Sequence, residues 1–265
     1  MNDPQVVMEQ ARAALADRPV VVLVLTFLLM WAFARTGAWL ATRRLVDLEL
    51  EGRSGFGAVM TATLTLLALI IGFTFSMALT RYDERKTLEE AEANAIGTEL
   101  ARADLLPAAE AAKVRRLLRD YLDERIARYV HRAERPAAQP DARMVALQNE
   151  LWAAIVPPSQ AQRDPVSALV LAGMNDVLNS QSYTQAAWLN RIPLAAWTLL
   201  AALALFSNML VGFEVQRASG GRVVPFVLPI TVSIACCLIA DLESPGGLIT
   251  VRPQNLQILA QSLGG

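Results

Sequence analysis

Residues 55–80 read GFGAVMTATLTLLALIIGFTFSMALT, and the charged run RYDERK follows at once at residues 81–86. Crossing the hydrocarbon core of a bilayer takes about 20 apolar residues in helical form, so the uncharged stretch is long enough to span. Between Thr80 and Gly97 there is neither Pro nor Gly, which predicts that the spanning helix runs on into water rather than stopping at the interface. Leu88, Ala91, Ala95 and Leu100 keep roughly helical spacing through that continuation. Within the span, Thr61, Thr65, Leu69, Gly72, Ser76 and Thr80 recur every three or four positions and therefore share one face of the helix. The other faces carry Leu66, Leu67, Ile70, Ile71, Phe75 and Leu79. Such a stripe has two readings. It packs against another helix, because small residues let membrane helices approach closely, or it lines a pore, with Leu69 and Phe73 repeated as rings in a symmetric oligomer.

Outward from this stretch, three more are nearly free of charge: Pro19–Ala41, Ile192–Phe213 and Val223–Ala240, where Arg35 is the single exception. The chain of 265 residues has 24 Lys plus Arg against 25 Asp plus Glu, 54% hydrophobic residues and a mean hydropathy of +0.35. Low hydrophobicity with high net charge, the mark of disorder, is missing. So is the basic surplus needed to displace counterions from nucleic-acid phosphates. The expectation is an all-α membrane protein with four transmembrane helices and a large helical segment of ordinary charge density. Arg35 is expected to snorkel to an interface beside Trp31 and Trp39. A cleaved signal peptide is the rival reading of Pro19–Ala41, but a leader holding Asp3, Glu9 and Asp17 is unlike a short basic n-region. With four spans, the N-terminus, Arg81–Arg191 and the C-terminus lie on one side. They hold 18 Lys/Arg against 5 in the two short loops, among them Arg43, Arg44 and Arg53, which favours the cytoplasm for the larger share. The division expected is a leader 1–18, two spans within 19–80, a helical cytoplasmic domain 81–191, two spans within 192–240 and a cytoplasmic tail 241–265.

Inside the helical segment, Pro107 suits the first turn of a helix whose apolar stripe is Val114, Leu117, Leu118, Tyr121, Leu122, Ile126 and Tyr129. Arg115, Arg116, Arg119, Asp123, Glu124 and Arg128 form its solvated or salt-bridged face. After a linker at Pro136–Pro140, a helix beginning at Asp141 carries Val145, Leu147, Leu151, Trp152 and Ile155 and is expected to stop at Pro157-Pro158. Asp164-Pro165 then reads as cap and first turn of a helix to about Tyr183, with Leu169, Val170, Met174, Val177 and Leu178 on its apolar side.

Chemistry of the bond-breaking kind finds no foothold, and no enzyme is expected. His131 is the one histidine; no metal-ligand spacing, nucleophile elbow or phosphate loop accompanies it. No catalytic residue, metal or cofactor is assigned. Cys236 and Cys237, adjacent in an apolar span, read as small buried hydrophobes. Gly220-Gly221 sits in a short loop, and acidic pairs such as Glu89-Glu90 need no catalytic explanation.

The run Leu69 to Tyr82, with its Gly72-Phe73 and the Arg81-Tyr82 pair after the span, resembles the second-helix signature of bestrophin ion channels. Asp83-Glu84-Arg85-Lys86, Glu92–Thr98, Ala101–Pro107 and Asp241–Val251 are closer still to the bacterial bestrophin-like membrane family of unknown function. The resemblance implies a homo-oligomer, a pentamer, in the bacterial inner membrane, with termini and helical domain cytoplasmic. It implies a hydrophobic neck on the second helix at Thr65, Leu69 and Phe73, continued along the pore face by Thr61, Gly72, Ser76 and Thr80. The partners implied are membrane lipid, further copies of the chain and small inorganic ions, with no nucleic acid, and the function is ion transport. Tyr82-Asp83 stand where bestrophins carry paired tryptophans, and Thr65 stands at a usually apolar neck position. Asp241 and Glu243 alone do not make a calcium clasp, which wants about 6–8 oxygens. The alternative from another class is a membrane-anchored interaction or sensor scaffold that does not conduct.

Overall fold

The computed structural model describes residues 18–43, 50–131, 142–161, 164–218 and 224–264. Nearly all of the leader 1–18, Arg44, the linker 136–140 with Asp141, and Gly220-Gly221 lie outside the described residues, as does the Arg53 side chain. Eight α-helices follow one another among the described residues: α1 Pro19–Thr42, α2 Leu50–Arg102, α3 Ala108–Val130, α4 Ala142–Ala161, α5 Pro165–Leu189, α6 Leu194–Arg217, α7 Val224–Glu243 and α8 Gln254–Gly264. A 3-10 turn, Ala103–Leu105, separates α2 from α3. No strand occurs among the described residues. Four helical stretches are long and apolar enough to cross a membrane, at Pro19–Thr42, Gly55–Leu105, Pro165–Arg217 and Pro225–Glu243. The chain divides into two compact units, one reaching to Thr80 and resuming at Arg191–Thr250, the other Arg81–Asn190 with Val251–Gly265.

In the first unit, α1 buries Met30, Ala34 and Gly37, and α6 buries Leu200, Ala204, Ser207, Asn208, Gly212 and Phe213. The two glycines set how closely these helices cross. A Cβ on Gly37 would overlap the carbonyl oxygen of Met209, and one on Gly212 would overlap that of Ala34. Backbones this close gain dispersion contacts that hydrocarbon tails cannot match, the usual source of helix association in lipid. On α7, Ser233 reaches Met30 Sδ at 3.8 Å, and the half-buried Cys237 thiol donates to the Pro19 carbonyl at 3.3 Å. Cys236 is buried and both thiols are free. These contacts make α1 an integral part of the unit. Phe56 of α2 packs on Phe213, ring centroids 5.2 Å apart.

The end of α7 is closed by its own acids. Both Asp241 oxygens accept backbone N–H bonds, from Leu248 and Ile249, each at 2.8 Å, and a Cβ on Gly247 would crowd the same carboxylate. Glu243 accepts from Ile192 N at 2.6 Å. Among the described residues no three metal-ligating side chains come together. The two acids act as turn clamps, tying the Ser244–Ile249 loop and the approach to α6 to the end of α7.

The second unit packs the Arg81–Arg102 part of α2 with α3, α4, α5 and α8 around Ile96, Leu118, Tyr121, Leu147, Leu151, Met174 and Val177. Three boundaries differ from the sequence expectation. Helix α4 runs through Pro157 and Pro158 to Ala161. The prolines fall in its last turns, where Ser159 Oγ takes up the Ile155 carbonyl at 2.8 Å. Its inner face is Met144, Leu147, Leu151, Ala154 and Ile155, while Val145 and Trp152 are exposed. Pro107 is the N-cap of α3 rather than a residue of its first turn. Helix α5 begins as expected, Asp164 accepting from Ser167 N at 2.7 Å, but continues beyond Tyr183 to Leu189, because no breaker intervenes before Pro193. Leu169 of α5 is exposed.

Candidate functional site

On α2 the residues that face inward are Leu67, Thr74 and Ala78, at 2%, 3% and 0% exposure. Helical residues advance about 100° each, which sets the Thr61-to-Thr80 stripe roughly 180° from this buried line. All seven residues of interest, Thr61, Thr65, Leu69, Gly72, Phe73, Ser76 and Thr80, are exposed; Leu69 is 51% and Phe73 66% exposed. Intrachain packing is therefore not what the small residues serve. A Cβ on Gly72 would meet nothing within 4 Å, in contrast to the tight approaches at Gly37 and Gly212.

The stripe's threonine hydroxyls are satisfied within the helix. Thr61 donates to Gly57 O at 2.9 Å, Thr65 to Thr61 O at 2.9 Å and Thr80 to Ser76 O at 3.0 Å. A hydroxyl already bonded to the carbonyl one turn back presents mainly its methyl and one lone pair, so the face is only weakly polar. It carries no charge over residues 55–80. Thr65, Leu69 and Phe73, one turn apart, place two bulky apolar side chains above a threonine on this open surface.

A second constellation, which the sequence reading passed over, lies in the other unit. The expected apolar spacing Leu88, Ala91, Ala95, Leu100 does not describe the inner face of α2, for Ala91 is exposed. The inward line instead holds Arg85, Glu89, Glu92, Ile96, Glu99 and Leu100. On α3, Arg125 occupies the stripe between Tyr121 and Tyr129, with Ile126 only half-buried. Arg125 and Glu92 form a bidentate pair, Nη2 to Oε2 at 2.9 Å, with Nε bonded to the other oxygen. Thr184 Oγ1 accepts from the same guanidinium at 2.9 Å. Burial works against the charge on Arg125, and Glu92 more than offsets it, holding the guanidinium above its ordinary range. Arg85 lies over Trp188, its Cζ 4.4 Å from the ring centroid, a cation–π contact. Glu89 caps the start of α8, accepting from Leu256 N at 3.0 Å and Asn255 Nδ2 at 2.7 Å; helix N-termini favour anions. Its neighbour Glu90 is exposed. The spacing of 85, 89, 92, 96 and 99, read without regard to polarity, is the signal that could have found this face.

Glu99 differs from Glu89 and Glu92, whose carboxylates are hydrogen-bonded. Its side chain is fully buried, neither oxygen has a hydrogen-bond partner, and Arg102 Nη1 is 3.8 Å away. A Cβ on Gly173 of α5 would collide with this carboxylate and with Arg102, so the glycine makes the hollow that admits them. Burial pushes the carboxyl up to about 8, against the pull of Arg102 and with a further push from Asp176. His131, at the end of α3, is exposed.

The Bestrophin-like domain family matches residues 28–256. No curated protein is similar to the chain at a significant level. Among solved structures, three single-residue variants of a bacterial bestrophin homologue from Klebsiella pneumoniae share the fold. Their TM-scores are 0.66, 0.63 and 0.64 at 15%, 16% and 15% identity, covering 92%, 91% and 93% of this chain and 98%, 98% and 97% of theirs.

Proposed function

Because the chain belongs to the Bestrophin-like family, a membrane family of all-helical channel-type fold, we propose that it assembles as a homopentamer in the bacterial inner membrane and conducts small ions. In this reading Thr65, Leu69 and Phe73 of α2 form the neck, and Thr61, Gly72, Ser76 and Thr80 continue the pore face. The supporting observation is the orientation of the stripe: the fold of a single chain buries the opposite side of α2 and leaves this one open. Cyclic symmetry would multiply each residue into a ring. Rings of Leu and Phe exclude water when narrow and admit hydrated ions when dilated, so gating would proceed by wetting. No charged ring falls on the face, and no ion selectivity is assigned. No bond-breaking step is proposed, and the termini and the Arg81–Arg191 segment are placed in the cytoplasm on their share of Lys and Arg.

The test has two stages. Imaging of the detergent-extracted full chain should give five-fold particles, and a monomer or dimer would sink the proposal. Liposomes holding the wild type, Leu69→Ala or Phe73→Ala should then differ in ion flux, the truncated necks passing more. Flux at background in all three would favour the non-conducting scaffold.

A further inference from the structure

Helix α1 carries a second ordered face. Val24 and Leu28 continue at helical spacing into Trp31, Arg35, Trp39 and Arg43, on the side away from the buried Met30, Ala34 and Gly37. Every one of the six is exposed. Each guanidinium lies back over the indole one turn earlier: Arg35 Cζ is 6.0 Å from the Trp31 centroid and Arg43 Cζ 5.1 Å from that of Trp39.

A guanidinium on a lipid-facing helix is costly unless neutralised, and a ring face supplies only about 0.5–2 kcal/mol. Residues 19–43 contain no Asp or Glu, and neither arginine pairs with a carboxylate among the described residues. Among the described residues, then, no anion of this chain compensates either arginine. At about 1.5 Å per residue, α1 is roughly 36 Å long against a hydrocarbon core of about 30 Å. Arg35 and Arg43, roughly 12 Å apart along the axis, then straddle the boundary where lipid phosphates lie, with Trp39 between them at the level tryptophan prefers. Below them, Val24 and Leu28 offer an apolar track for an acyl chain.

We propose that this face is a binding site for an anionic phospholipid, its headgroup phosphate held by Arg35 and Arg43 and framed by Trp31 and Trp39. Guanidinium suits the task because its planar fork matches phosphate oxygens. The site is independent of whether the assembly conducts.

The full chain in mild detergent is melted with added phosphatidylglycerol, phosphatidylcholine or inorganic phosphate. Phosphatidylglycerol should raise the apparent Tm of the wild type well above the rise given by the other two. That excess should vanish in the double variant Arg35→Gln/Arg43→Gln, fall by at least half in Arg43→Gln alone, and survive in Arg18→Gln, which removes a cation from the other end of the helix. An equal rise with phosphatidylcholine, a rise with phosphate alone, retention in the double variant, or loss in Arg18→Gln each overturns the proposal. A change of particle size in the double variant would overturn it in favour of a contact between copies of the chain.

Discussion

Glu99→Gln should make the protein more stable on the alkaline side and leave it unchanged in acid. The native carboxyl titrates near pH 8, against 4.5 for the free group, because burial penalises its charge more than Arg102 relieves it. The folded state therefore holds this proton more tightly than the unfolded chain does. Stability conferred by the neutral acid is complete below about pH 4.5 and is lost as pH rises through about 8, beyond which the difference is constant. At roughly 1.4 kcal/mol for each tenfold difference in proton affinity, the upper limit is about 5 kcal/mol. Water entry and side-chain relaxation on ionisation reduce that, leaving roughly 2–3 kcal/mol as the working figure. For a chain of this size, about 2–4 °C of Tm accompanies each kcal/mol, so the variant should melt roughly 4–12 °C above the wild type at pH 8.5 and with it at pH 4.5. Fluorescence melts of the full chain in one detergent across this pH range measure the difference. A constant offset at all pH values, which means that the carboxyl holds its proton equally in both states, or a wild type more stable at pH 8.5, which means that Glu99 is charged and paired in the native state, would refute the reasoning.

Other perturbations have equally definite outcomes. Glu92→Gln leaves Arg125 buried without its counter-charge and should cost about 3–5 kcal/mol, whereas Glu92→Gln/Arg125→Met should recover most of it; chemical or thermal melts of the two variants and the wild type decide. Gly212→Leu drives a side chain into the Ala34 carbonyl and should abolish the folded yield in detergent, while Gly72→Ala, with open space around it, should leave the yield intact. Asp241→Ala removes two charge-assisted bonds to Leu248 and Ile249, each worth about 1.5–3 kcal/mol, and should speed amide exchange at both positions in hydrogen-exchange mass spectrometry.

The buried charges explain where sequence reading stopped. Arg125 sits at helical spacing between Tyr121 and Tyr129, yet a periodicity scored on hydropathy gives an Arg to the solvent side. Its partner Glu92 lies 33 positions away, and Glu89 meets Leu256 across 167. Nothing local to either residue reveals such a pairing, because the attraction that makes burial tolerable exists only once the helices have met. Glu99 is harder still, since its hollow depends on the absence of a side chain at Gly173 on a different helix. That Thr65, Leu69 and Phe73 share a face was open to sequence analysis for the opposite reason: it follows from helical geometry alone, whatever surrounds them.

By itself, then, the sequence determined the all-helical class, the four apolar spans and the abrupt change of charge density after Thr80, all consequences of residue-by-residue transfer energies and the 3.6-residue turn. It also determined which residues of α2 share a face. The tertiary structure decided which face of α2 the chain keeps for itself, through Leu67, Thr74 and Ala78, and which of the charged side chains go inside. Those outcomes depend on contacts between helices distant in sequence, where a close backbone approach or a matched opposite charge changes the sign of a residue's preference for water.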